Sequence, residues 1–223
     1  MRIINKLLKV KVFWLLLISA EADWPKFRGP TGQGIWNCPG LPLKIDSPKK
    51  VWEHKINGGY SGITVKDGKV YTMDRPENKN LERILCFDEK SGELIWEHQY
   101  EANYKGLSYD VGPRASVTIL NGKAFTFGAI GHMHCLDKNN GKVIWSKDSR
   151  EAFGAKRPTW GFASSPAPWN KSIIYQIGSS SGGYIALDPL TGSKLWSGSD
   201  DPAGYATPVF IKHSGNEMML AWT

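Results

Sequence analysis

The residues of this chain that could do chemistry are few and scattered. His132 and His134 stand two apart, so on a strand they share one face, with Cys135 beside them. Two imidazoles do not complete a zinc site, which takes three or four ligands, so both are expected as ordinary strand residues next to a turn. Ser199-Asp200-Asp201-Pro202 carries oxygens suited to calcium but lacks the spaced ligands of a calcium loop, and reads as a polar connection. The serines at Ser164-Ser165 and Ser179-Ser180-Ser181 lie outside any Gly-x-Ser-x-Gly turn, so no activated hydrolase nucleophile is indicated. Gly178 to Gly183 is rich in Gly and Ser but lacks the lysine and the following helix of a phosphate loop.

The elements that must position these residues repeat. Cys86–Trp96, Cys135–Trp145 and Ala186–Trp196 align without a gap. Each has a small residue, Asp two later, Gly four after that, and Trp four after the Gly. The tryptophans recur at a period of about fifty residues. A strand is expected to end at Asp88, Asp137 and Asp188, whose carboxylates can accept hydrogen bonds from the turn's own N–H groups. Gly92, Gly141 and Gly192 supply the positive φ that closes the turn. The next strand carries Trp96, Trp145 or Trp196, a flat side chain suited to wedge between neighbouring sheets.

A second hairpin precedes each of these turns. Asp67-Gly68 and Asn121-Gly122 sit between β-branched and aromatic runs, the strongest short hairpin signal. Asn170-Lys171 ahead of Ile173-Ile174-Tyr175 is a degraded third version. Each unit is therefore four strands. The reading is all-β: a β-propeller of four-stranded antiparallel blades, with no helical periodicity to support a solenoid. Complete blades are placed at about 56–100, 107–150 and 160–199, with a partial one at 204–223. Residues 50–55, with Trp52, read as a lone outer strand of the kind that closes a last blade. About three and a half blades leave sheet faces bare, so the sequence is expected to be part of a larger ring. Arg114, Trp160 and Tyr205 lie just before the first strands of successive blades, where connections line one mouth of the channel, and are the candidate binding residues.

The first 22 residues read as an address. Arg2 to Lys11 is basic, Val12 to Ala20 is apolar, and Ala20-Glu21-Ala22 offers small residues for cleavage, with Asp23 at the mature start. The apolar run is shorter than the roughly 20 residues a bilayer span needs, so no span is expected once the signal is removed. No cysteine follows the run for lipid attachment. A periplasmic or extracellular location is implied. Residues 23–50 form an N-terminal segment ahead of the blades. Ten Trp and 24 Gly among 223 residues suit aromatic wedges between tight turns. The formal charge of +7 includes Arg2, Lys6, Lys9 and Lys11 of the address, and no basic run follows, so nucleic acid is not an expected partner. Cys38, Cys86 and Cys135 are odd in number and widely spaced. Nothing selects a disulfide, and Cys86 and Cys135 are expected as small buried residues.

The pattern Ala-x-Asp-x-x-Thr-Gly-x-x-x-Trp resembles the tryptophan-docking motif of the pyrroloquinoline quinone (PQQ) propeller superfamily. Ala186–Trp196 matches every fixed position, while the other copies have Ser91 and Asn140 in place of Thr. Asp23–Pro30, Gly112-Pro113-Arg114 and Gly131–Asp137 are similar to segments of exported bacterial PQQ-like repeat proteins. The resemblance implies a ring of about seven or eight blades, with the motif Asp, Gly and Trp as structural residues. For function it implies two classes. One is a non-enzymatic scaffold of the BamB type with a protein or carbohydrate partner and no cofactor. The other is a quinoprotein dehydrogenase of alcohols or sugars, using PQQ clamped by adjacent cysteines together with calcium. No Cys-Cys pair is present, and no calcium ligand or catalytic Asp can be placed by motif. The scaffold reading is therefore preferred, with the oligomeric state open.

Overall fold

A computed structural model describes residues 23–36, 44 and 47–223. The expected signal segment 1–22 and Cys38 lie outside the described residues. The first sheet contains β1 (Thr64–Lys66), β2 (Lys69–Asp74), β3 (Leu81–Asp88) and β4 (Leu94–Glu101) in that order. The second contains β5 (Thr118–Leu120), β6 (Lys123–Phe127), β7 (His132–Asp137) and β8 (Val143–Asp148). The third contains β9 (Ala167–Trp169), β10 (Ser172–Ser179), β11 (Gly182–Leu187) and β12 (Lys194–Gly198). A two-stranded sheet follows, β13 (Val209–His213) and β14 (Asn216–Leu220). All pairings are antiparallel. The chain folds as part of a β-propeller.

The hairpin signals work through backbone conformation. Asp67 and Gly68 have φ of 51° and 71°, and Asn121 and Gly122 have 46° and 76°. A two-residue turn with both φ positive matches the twist of the strands it joins. Sheets then stack face to face. Tyr71, Met73, Ile84 and Cys86 of the first blade pack with Val117, Ile119, Ala124 and Leu136 of the second. Phe125, Phe127, Met133 and Cys135 of the second pack with Ile173, Tyr175, Ile185 and Leu187 of the third. The core thus lies between blades, which is why β10 and β11 are buried along their whole length while β4 and β8 alternate.

The short strands β1, β5 and β9 are innermost. Thr64 donates its hydroxyl to the Val117 carbonyl at 2.6 Å, and Thr118 does the same to Pro166 at 2.6 Å. The N-terminal segment runs along these inner edges. Trp24 and Val65 exchange backbone hydrogen bonds of 2.8 and 3.1 Å, and Ile119 donates to Pro25 at 2.7 Å. Asp23 reaches the β1–β2 turn, where its carboxylate accepts from Lys66 and from the Asp67 N–H. The segment therefore crosses the channel wall on the side of the hairpin turns.

Two features differ from the sequence reading. Residues 50–55 form no strand, because an outer strand needs a third strand beside it and none among the described residues is offered to this one. Trp52 nonetheless packs on the outer face of the first blade beside Val70, Leu85 and Phe87. A single-turn helix, α1 (Ser149–Phe153), follows β8. Asp148 caps it by accepting from the Arg150 N–H at 2.9 Å, and Gly154 at φ 67° ends it. No helix of the described residues is long and apolar enough to cross a membrane.

Candidate functional site

The repeated aspartates are consumed by their own turns. Asp88 Oδ1 accepts from Lys90 N at 2.9 Å and Ser91 N at 2.8 Å. Asp137 accepts from Asn139 N at 2.8 Å and Asn140 N at 3.2 Å, and Asp188 from Leu190 N at 2.8 Å and Thr191 N at 2.9 Å. These N–H donors hold the Asp88 and Asp188 carboxyls below their usual range. Such carboxylates are turn anchors and are poorly placed to act as bases.

Each turn also receives a tryptophan from the preceding unit. The indole N–H of Trp52 donates to the Glu89 carbonyl at 2.8 Å, that of Trp96 to Lys138 at 3.0 Å, and that of Trp145 to Pro189 at 3.3 Å. The acceptor is always the residue after the motif Asp. The indole lies across the motif glycine. A Cβ added at Gly92, Gly141 or Gly192 would come within 2.5, 2.7 or 2.8 Å of that ring. The three glycines have φ of 73°, 71° and 69°. They are thus constrained twice, by backbone conformation and by the absence of room for a side chain. Gly192→Ala is expected to cost more than Gly68→Ala, although Gly68 has a similar φ of 71°. Nothing lies within 4 Å of a Cβ at Gly68. Strain of about 1–3 kcal/mol applies to both, and only Gly192→Ala adds the clash with Trp145. Equal melting temperatures for the two variants would remove the steric claim.

His132 and His134 face the first blade together. Tyr100 of β4 lies 4.3 Å from His134 and 5.3 Å from His132, and His98 lies 5.2 Å from His134, centroid to centroid. Burial pushes His134 down to about 3 and lowers His98 and His132 as well. Cys135 points the other way, into the core shared with the third blade. Burial pushes the Cys86 and Cys135 thiols up to about 12, so neither is a ready nucleophile. Sequence reading did not single out Glu82. It is fully buried, accepts from the Tyr100 and Tyr104 hydroxyls, and accepts from the Ala129 N–H at 3.0 Å. Its position in a strand of ordinary alternation gave no signal of this.

Ser165 Oγ accepts from Ser116 N at 2.9 Å, and Ser179 Oγ donates to the Phe153 carbonyl at 2.7 Å, so these serines tie loops together. Ser199 bonds to Asp201 within its connection.

Arg114, Trp160 and Tyr205 converge. With Tyr60, Tyr109 and Ala163 they line an open basin of about 470 Å³. Its geometry follows a register rule. Tyr60, Arg114, Ala163 and Tyr205 each stand four residues before the first inner-strand residue of their unit, Thr64, Thr118, Ala167 and Val209. That spacing was visible in the sequence and would have found Tyr60. Tyr109 would not have been found this way. It sits at φ 54° within a longer connection. Trp160 lies 5.0 Å from Tyr205 at 33°, and 6.3 Å from Tyr109 nearly edge-on at 79°. Arg114 donates to the carbonyls of Gly112, Tyr109 and, at 3.2 Å, Ser108. Its guanidinium lies 5.6 Å from the Tyr60 ring and 5.9 Å from Tyr104. The basin opens on the side of the inter-blade connections, opposite the hairpin turns crossed by the N-terminal segment.

The family model described as outer membrane protein assembly factor BamB matches residues 41–154 and 80–219. The chain belongs to this family. Outer membrane protein assembly factor BamB of Shewanella oneidensis is 26% identical over 159 residues, which is 67% of this chain and 36% of that protein. The 1-butanol dehydrogenase (quinone) of Thauera butanivorans is 31% identical over 160 residues, 64% of this chain and 23% of that enzyme. The solved quinohemoprotein alcohol dehydrogenase of Comamonas testosteroni superposes with a TM-score of 0.61 at 19% identity, over 78% of this chain and 27% of that one. This last likeness is one of fold. The chain spans well under half the length of each of these proteins.

Quinone chemistry can be tested against the residues of this BamB-family chain. The three cysteines are nowhere adjacent in sequence, so no vicinal clamp exists in it. Among the described residues no three His, Cys, Asp or Glu side chains could hold a metal ion. The aromatic basin has no carboxylate in its lining. Among the described residues of this chain, which aligns with 23% of the quinone-dependent butanol dehydrogenase, no calcium–quinone clamp is assembled.

Proposed function

We propose that this chain is a non-enzymatic, exported propeller module that binds a protein or carbohydrate partner at the mouth formed by Tyr60, Tyr109, Arg114, Trp160 and Tyr205. The observation that carries the reading is the convergence of side chains from four successive connections on one open basin. Single exposed aromatics are ordinary on a surface. Trp160 at 50% exposure and Tyr109 at 69%, set around a guanidinium in one concavity, are a different matter. The BamB relative, named as an outer membrane protein assembly factor, supports a binding role in the cell envelope. The motif residues Asp88, Gly92, Trp96, Asp137, Gly141, Trp145, Asp188, Gly192 and Trp196 act in this reading as the docking framework that keeps the connections in register.

The test is site-specific photo-crosslinking from position 109 in the intact cell envelope. Crosslinks to a discrete partner that vanish with Trp160→Ala are expected. Absence of any Trp160-dependent adduct, to protein or glycan, would defeat the binding-module reading. A second reading, quinoprotein dehydrogenase, is favoured by relatives such as the quinone-dependent butanol dehydrogenase. It predicts that PQQ with calcium restores dye-linked alcohol or sugar oxidation. The donor set described above leads us to expect no rate over the dye blank.

A further inference from the structure

We infer that the aromatic basin is a saccharide platform, and that its occupant is a uronate-bearing oligosaccharide. This inference rests on the binding-module reading and narrows it to one ligand chemistry.

The first argument is shape. A planar aromatic ligand is best held in a slot with two parallel walls, and an apolar peptide side chain needs a deep, fully desolvated pocket. The basin offers neither. Trp160 and Tyr205 are tilted by 33°, Tyr109 stands nearly edge-on to Trp160, and four of the rings are between 39% and 69% exposed. Each ring therefore keeps a substantial part of its surface open to solvent. One-sided stacking suits a pyranose, whose axial C–H face is apolar while its hydroxyl rim stays in water.

The second argument is charge. Arg114 and Arg75 both lie over the ring of Tyr104, at 5.9 and 4.2 Å. Behind that ring the Tyr104 hydroxyl donates to the buried Glu82. Two guanidinium groups thus share one carboxylate that neither touches. Arg75 is satisfied by the carbonyls of Lys79 and Asp110, as Arg114 is by those of its loop. Neither makes a direct ion pair among the described residues; Arg75 lines the neighbouring groove with Glu77 and Asp110, so Arg114 is the cation that the basin presents beside its rings. An occupant with a carboxylate is attracted, and a cationic one is repelled. A quaternary ammonium, the other ligand that aromatic cages favour, is disfavoured on this ground.

The experiment is calorimetric titration of the full chain with trigalacturonate, with its methyl ester, with a neutral hexose trimer and with PQQ. Trigalacturonate is expected to bind. Affinity is expected to fall about tenfold or more with Trp160→Ala, and several-fold with the methyl ester and with increased salt. Tyr109→Ala is the second variant, since this side chain is the most exposed of the rings and its loss leaves the core untouched. Unchanged melting curves confirm that both variants fold. No binding of trigalacturonate at millimolar concentration overturns the proposal, as does equal binding by Trp160→Ala or by the methyl ester. Tight binding of PQQ without trigalacturonate also overturns it, in favour of the quinone reading. If titration is silent while crosslinking from position 109 still captures a Trp160-dependent protein, this inference falls and the binding-module reading stands. If both are silent, both fall.

Discussion

Trp145→Ala is expected to lower the stability of the folded chain by about 3–5 kcal/mol, the usual range for truncating a buried tryptophan. Trp145 is 8% exposed and joins the core between the second and third blades. Its ring covers Gly192, and its indole N–H is tied to the Pro189 carbonyl at 3.3 Å. Truncation leaves a cavity and leaves the Pro189 carbonyl with only its weak Cys135 thiol donor at 3.7 Å. Trp145→Phe keeps a ring and loses the hydrogen bond, so roughly 1 kcal/mol of the loss should trace to the N–H. The contact can be isolated by a double-mutant cycle with Gly192→Ala. In the parent, the added methyl meets the indole. In Trp145→Ala it meets the vacated space, so the second substitution should cost less in that background. Additive losses in chemical denaturation would mean that Trp145 and Gly192 do not act as a pair, and the docking account would be wrong.

That pairing shows what the sequence makes legible. The spacing of Asp137, Gly141 and Trp145 is local, and so are the consequences for the turn. The carboxylate caps N–H groups two and three residues on, and the glycine takes positive φ. Four-stranded units follow from two such hairpins. The partner of each tryptophan is not local. Trp96 lies over Gly141, and Trp145 over Gly192, about fifty residues away. The sequence shows both members of each pair but not which meets which. Residues 50–55 show the same dependence, since the strand expected there is one that completes a blade whose other strands are not among the described residues. Strand pairing is a property of two segments, and Trp52 needs only the turn of the first blade to find its place.

The basin was half legible. Arg114, Trp160 and Tyr205 stood out because each precedes an inner strand. Tyr60 obeys the same register in the first unit, four residues before Thr64, and that spacing would have found it. The buried cluster of Glu82, Tyr100 and Tyr104 was invisible, since it joins β3 to β4 and a connection through side-chain oxygens alone. No spacing rule predicts that three donors will converge on one strand carboxylate.

Mild acid is expected to loosen the joint between the first and second blades before the carboxylates titrate. His134 is 6% exposed, and its Nδ1 has no hydrogen-bond partner among the described residues. It faces His98 and Tyr100 from β4, with His132 beside it on β7. Asp148 lies 3.8 Å from His132, with Arg150 and Glu151 beyond it, and Glu82 is held behind the Tyr100 hydroxyl. No carboxylate contacts His134 itself, so nothing there offsets the cost of a buried imidazolium. The folded state holds this base below its ordinary value of 6.5, down to about 3. The unfolded chain therefore binds the proton more readily. Stability from this group is complete above pH 6.5 and is lost as pH falls from 6.5 towards 3, at about 1.4 kcal/mol per unit. Between pH 6.5 and 4.5 that is roughly 2–3 kcal/mol from His134 alone. His98 and His132 add in the same direction, with Asp148 moderating His132. The depressed carboxyls of Asp74 and Asp148 act later, because their contribution is lost only as pH falls below about 3.8. A melting series should thus show a descent from pH 6.5 to 4.5 that flattens in His134→Phe, which keeps the ring and removes the titration. A parent whose melting temperature is level across that window would show that the histidines are not buried against one another in the folded chain. A His134→Phe variant with the parent's slope would place the proton elsewhere.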